Sequence, residues 1–92
     1  MSYYLKDPQA RVDYSIDWTD YLDGQSVAAS LWTVTPSEPG GIAVEQASFD
    51  LSRSAARLSG GVLGRVYTVS NRVTLSDGSL DERSITLRVE QR

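Results

Sequence analysis

Four aspartates stand close together early in the chain, Asp13, Asp17, Asp20 and Asp23, and grouped carboxylates are what a calcium ion takes. Calcium needs several oxygens converging on one point, however. Asp17-x-x-Asp20-x-x-Asp23-Gly24 lacks the alternate-position spacing of an EF-hand loop. Asp13 and Asp17 also fall on the outward side of an alternating run, where carboxylates are ordinarily solvated, so we expect a polar surface there. Other chemistry is thinner still. Serine is plentiful, but the chain has no His to serve as a base for a Ser nucleophile. Paired carboxylates can hydrolyse glycosides, yet a chain this short offers no obvious cleft for a sugar. Gly40-Gly41 and Gly60-Gly61 are followed by no Lys-Ser or Lys-Thr and open no helix, so they are expected to be turn glycines rather than phosphate loops. The absence of Cys excludes disulfides and thiolate metal sites. We therefore expect no catalytic residue, no metal and no cofactor.

The 92 residues suit one domain, spanning residues 1–92. An apolar content of 40%, with two Trp and five Tyr, is enough for one core. A net charge of −3 gives no basic patch, which argues against nucleic acid and anionic membranes as partners. No apolar run is long enough to span a bilayer. Met-Ser-Tyr-Tyr-Leu-Lys lacks the basic and apolar regions of a signal peptide, so synthesis and folding in the cytoplasm are expected.

The elements that would position any site are strands. Ser2 to Lys6 reads as a short edge strand ended by Pro8. Ala10, Val12, Tyr14, Ile16 and Trp18 then alternate with Arg11, Asp13, Ser15, Asp17 and Thr19, giving a strand with one dry face. After a turn at Asp23-Gly24, Val27 to Val34 is a second strand whose apolar parity breaks between Leu31 and Trp32. A bulge, or burial on both faces, would explain the break. Pro36 to Gly41 is a loop, and Ile42 and Val44 begin another strand. From Glu45 to Leu58 the spacing of Ala47, Leu51, Ala55 and Leu58 is nearly helical. Extended structure is preferred, because the neighbours are strands and Ser48, Ser52 and Ser54 are poor helix formers. Ser59-Gly60-Gly61 reads as a loop. The pattern predicts an all-β, immunoglobulin-like Greek-key antiparallel sandwich of six to seven strands.

The clearest signal is a hairpin between Leu58 and Val89. Tyr67, Val69, Asn71, Val73 and Leu75 share one side of its first strand, and Ile85, Leu87 and Val89 share one side of its second. A two-residue Asp77-Gly78 turn would set inward residues against outward ones. A three-residue loop, Asp77 to Ser79, sets Ser76 opposite Leu80, Val73 opposite Arg83, Asn71 opposite Ile85, Val69 opposite Leu87 and Tyr67 opposite Val89. Gly78 or Ser79 should then be left-handed. Gly64-x-x-Tyr67 resembles a tyrosine corner, in which the hydroxyl returns to nearby backbone. Trp18 and Trp32 read as core. Asn71 puts an amide on the dry face, where it must find partners. A backbone-bonded Asn near a sandwich edge is expected, and partner binding is the alternative. The outer polar ladder, with Arg72, Glu82 and Arg88, suits a wet docking interface. Tyr3, Tyr4 and Leu5, with nothing local to hold them, make the expected exposed anchor for a neighbour.

Several of these pieces, in this order, resemble the small phage fiber-tail adaptor proteins. They are Lys6-Asp7-Pro8 leading into Val12-Asp13-Tyr14-Ser15-Ile16-Asp17-Trp18, then Trp32-Thr33-Val34 and Leu58-Ser59-Gly60-Gly61. Gly64-x-x-Tyr67-Thr68-Val69-x-Asn71-Arg72-Val73-Thr74 and Asp81-Glu82-Arg83-Ser84-Ile85 complete the set. Pro36 to Arg57 departs from that pattern. The resemblance implies a non-enzymatic virion protein that bridges tail and fiber parts, with other tail, baseplate or fiber proteins as partners. It would be monomeric alone and present in several copies in the particle. An immunoglobulin-like binding module of a bacterial surface protein, or a phage capsid decoration protein, are the alternatives.

Overall fold

The computed structural model describes residues 2–91. Seven strands follow one another along the chain: β1 (Ser2–Lys6), β2 (Val12–Asp17), β3 (Val27–Thr35), β4 (Ile42–Phe49), β5 (Arg53–Gly60), β6 (Val66–Leu75) and β7 (Leu80–Val89). They form a four-stranded sheet of order β1-β7-β6-β3 packed on a three-stranded sheet of order β2-β5-β4. This is an immunoglobulin-like sandwich, antiparallel except where β1 runs parallel to β7.

Alternation sets which face of each strand is dry. On β6, Tyr67, Val69, Asn71, Val73 and Leu75 are buried, and on β7 so are Ile85, Leu87 and Val89. Ser54, Ala56 and Leu58 of β5 meet them from the other sheet. Two apolar clusters result. One gathers Ile42, Leu58, Tyr67, Val69, Leu87 and their neighbours; the other gathers Ile16, Trp18, Leu22, Val27, Val73 and Leu75. Tyr14 and Trp32 pack against both. Trp18 is fully buried, while Trp32 is only partly so.

Glu45 to Leu58 is extended, in the end of β4 and most of β5. The helical spacing there is accidental, since Leu51 lies exposed in the turn between these strands. The parity break in β3 comes from a register shift between Val27 and Ala29, earlier than the sequence suggested. It turns Leu31 outward and Trp32 inward. Gly60 is the last residue of β5 rather than part of a loop. Its φ is +74°, and a Cβ there would lie 2.8 Å from the Gly41 carbonyl, so only glycine lets the two segments approach.

The central hairpin corrects the expected register by two residues. Tyr67 faces Leu87, Val69 faces Ile85, Asn71 faces Arg83 and Val73 faces Asp81. The loop does have three residues, but they are Ser76 to Gly78. Leu75 N–H donates to Ser79 O at 2.8 Å, and Gly78 N–H to Leu75 O at 2.9 Å. Gly78, at φ +88°, takes the left-handed position that closes such a loop. A shift of two leaves every side chain on its expected face.

Two further expectations need correction. Asn71 lies on β6, between β7 and β3, and not near an edge of the sheet. The N-terminal segment is held after all, though by a strand distant in sequence: β1 pairs with Ile85–Val89 and ends in a buried Lys6, while Tyr4 and Leu5 stay exposed. The Lys6 ammonium donates to the carbonyls of Asp7 (3.0 Å), Ala10 (2.6 Å) and Gly60 (2.7 Å). Burial lowers its pKa, and the Asp7 charge partly opposes that.

Candidate docking surface

The outward residues of the four-stranded sheet fall into straight cross-strand rows. Leu31 is level with Arg72 and Glu82, Thr33 with Ser70 and Ser84, and Thr35 with Thr68 and Thr86. Val66, Arg88 and Leu5 form the row at one end, and Ala29, Thr74 and Leu80 the row at the other. Arg72, Glu82, Arg88 and Leu5 are therefore brought onto one surface. Tyr3 sits at the register position opposite Thr86, but its side chain lies outside the described ones. Tyr4 has the opposite parity and turns toward the space between the sheets, where its ring lies 6.1 Å from that of Tyr14.

This face is polar at its centre and apolar at both ends. Arg72 Nε lies 3.0 Å from Glu82 Oε1, and the Ser70 and Ser84 hydroxyls are 2.7 Å apart. Arg88 Nε meets Glu90 Oε1 at 2.7 Å. Each ion pair is about half exposed, so it adds little to folding and is free to exchange partners. Leu31 (58% exposed), Leu80 (62%) and Val66 (47%) were not foreseen as part of the surface. The parity break beside Leu31 was the one sequence signal for any of them. Hydroxyls, re-pairable charges and a few apolar anchors on an open sheet face suit a wet protein interface.

The remaining singled-out residues make their contacts within the domain. Tyr67, wholly buried, accepts from Val62 N–H at 3.0 Å and donates to Glu38 Oε1 at 2.6 Å. Burial, and then the bond to Glu38, raise its pKa. Trp18 Nε1 donates to Ser54 Oγ at 2.9 Å, and Ser54 Oγ donates to Asn71 Oδ1 at 2.6 Å. Asn71 Nδ2 in turn donates to Ser30 Oγ (2.8 Å) and Leu31 O (3.1 Å). Trp32 packs edge-on to Tyr14, with ring centroids 6.0 Å apart. Two of the early aspartates, Asp13 and Asp17, are engaged by neighbouring side chains. Arg57 donates to Asp13 at 2.8 Å and draws its carboxyl below the usual range, and Thr19 does the same for Asp17. Among the described residues no three His, Cys, Asp or Glu converge on a point.

A family model described as podophage GP4 fiber-tail adaptor protein gp77 matches residues 6–88, which takes in strands of both sheets. No curated protein matches the chain. Among solved structures, the solution structure of the PKD domain from KIAA 1837 protein superposes with a TM-score of 0.56 at 15% identity. That match covers 99% of this chain and 80% of the other. At that identity the likeness speaks for the sandwich alone.

Proposed function

The chain belongs to the podophage GP4 fiber-tail adaptor family, and from that premise we propose that it is a structural, non-enzymatic part of a phage particle, joining tail and fiber components through protein–protein contacts. The family match over residues 6–88 carries this reading. In this proposal the chain acts as a single domain, made in the host cytoplasm and then built into the virion. It stays monomeric at micromolar concentration, because the core is used internally, and enters the particle in several copies related by symmetry. Its partners are other tail, baseplate or fiber proteins rather than nucleic acid or membrane.

The outer face of the four-stranded sheet is the docking surface we assign, with Arg72, Glu82, Arg88 and Leu5 as contacts and Tyr3 at a register position in the same rows; Tyr4, half exposed beside Tyr14, is a contact only for a neighbour that reaches round the β1 edge. What supports this surface is a hydroxyl-rich face whose half-exposed ion pairs can re-pair with a neighbour. The test is complementation with an Arg72→Glu, Arg88→Glu double variant. We expect the purified variant to fold and melt like the parent while particles lose it together with their fibers. Normal incorporation would remove this face from the account.

A further inference from the structure

We infer that the uncovered half of β7, Leu80–Ser84, pairs antiparallel with the same segment of a second copy, about a two-fold axis at Glu82. The inference does not depend on the adaptor reading. It begins with an open edge. β1 covers β7 only from Ile85 to Val89, so among the described residues Leu80–Ser84 has no strand on its outer side. The backbone of that edge is aimed outward. Leu75 N–H bonds to Ser79 O and Val89 N–H to Arg65 O, so the odd-numbered residues of β7 are bonded to β6. Glu90 N–H bonds to Lys6 O, on the other side. Leu80, Glu82 and Ser84 therefore present N–H and C=O groups to the open edge.

Such edges are commonly blunted by charge. Here Asp81 Oδ1 accepts the Glu82 N–H at 2.8 Å, an exposed bond that pairing exchanges for one to the Glu82 carbonyl of the second copy. The same charges, however, are self-complementary in one register. A two-fold at Glu82 sets Leu80 against Ser84 and Asp81 against Arg83, twice over, and it uses the outward residues as the hydrogen-bonded pairs. A two-fold at Asp81 or Arg83 would set like charges against each other, which is unfavourable. The Glu82 pair at the axis is like-charged too, but each Glu82 is held by its own Arg72 at 3.0 Å on the outer face. On the inner face, Arg83 lies over the Tyr21 ring at 5.1 Å and makes no salt bridge among the described residues. It borders a groove of about 580 Å³ between β7 and β2, lined also by Tyr14, Ile16 and Asp17, and Asp17 is already engaged by Thr19 and Arg53. The register uses the full five-residue edge, which is bounded by the hairpin loop on one side and the start of β1 on the other.

One short strand per copy buries far less than the about 1,200 Å² of a stable interface, so the pairing should appear only at high concentration or between copies held side by side. Sedimentation equilibrium from about 10 μM to about 1 mM brackets the affinity expected of so small a contact. We expect monomer at the low end, dimer at the high end, and concentration-dependent amide shifts at Leu80, Glu82 and Ser84. Asp81→Arg and Arg83→Asp, each checked for unchanged melting, remove both symmetry-related charge pairs and should each weaken pairing at least about tenfold, a factor that even about 1.4 kcal/mol supplies. The double variant should restore it, and Glu82→Gln should tighten it. Monomer at the top concentration for both the parent and Glu82→Gln would overturn the inference. So would a dimer indifferent to the two single charge reversals, or a double variant that fails to recover.

Discussion

Ser54 Oγ donates to Asn71 Oδ1 at 2.6 Å, and this bond ties the two sheets together between the two apolar clusters of the core. Ser54 also accepts from Trp18, so its single hydroxyl satisfies two buried groups. Ser54→Ala leaves both without a partner, at roughly 1–3 kcal/mol for each buried polar group stranded. We expect a loss of about 2–4 kcal/mol from Ser54→Ala in urea unfolding, on the same principle. A double-mutant cycle with Asn71→Ala should give a coupling of at least about 0.5 kcal/mol, as for residues in contact. Additive effects would mean that the chain of bonds does not act as a unit.

That bond also marks how far the sequence could be read. Asn71 was visible as a polar residue on a dry face, because period two is explicit in β6. Its partner was not, since Ser54 lies in the stretch whose spacing looked helical and the contact crosses between sheets. The hairpin repeats the lesson. Alternation placed Tyr67, Val69, Ile85 and Leu87 on the right face but could not choose between registers two residues apart. Putting Gly78 at the last loop position, where the left-handed conformation falls, would have chosen correctly. Leu31 went unnoticed as a surface residue because alternation alone does not locate a bulge. β1, bounded by Pro8, was legible throughout, although nothing in its composition said that Lys6 would be its buried anchor.

Tyr67→Phe keeps the ring and removes the hydroxyl shared by Val62 N–H and Glu38. It should cost on the order of 1–2 kcal/mol, since the backbone donor and the carboxylate both lose a partner in a partly buried place. Thermal melting reads this directly, and an unchanged Tm would remove the corner from the account.

Lys6→Met keeps the length of the side chain but leaves the Ala10 and Gly60 carbonyls without their donor. We expect roughly 1–3 kcal/mol of destabilisation. Amide exchange should quicken first in β1, because Lys6 fixes its end. Unchanged protection of β1 would show that strand pairing alone holds it.

Acid should unfold the protein more readily than mild base. Hydrogen bonds from Arg57, Thr19 and Ser79 lower the pKa values of Asp13, Asp17 and Asp77. Their folded-state values thus lie below the unfolded ones, so their contribution is present above about pH 4 and is lost as pH falls through the folded values. With no His in the chain, Tm should be flat between about pH 5 and 8 and should fall below about pH 4. A step in the neutral range would contradict this.

The most direct measurement is cryo-electron microscopy of intact particles carrying this chain. The account predicts density for the sandwich, in several copies, between tail and fiber. The face bearing Leu31, Arg72, Glu82 and Arg88 should lie against a neighbouring protein. Density on the capsid, absence from the particle, or that face turned to solvent in every copy would contradict it.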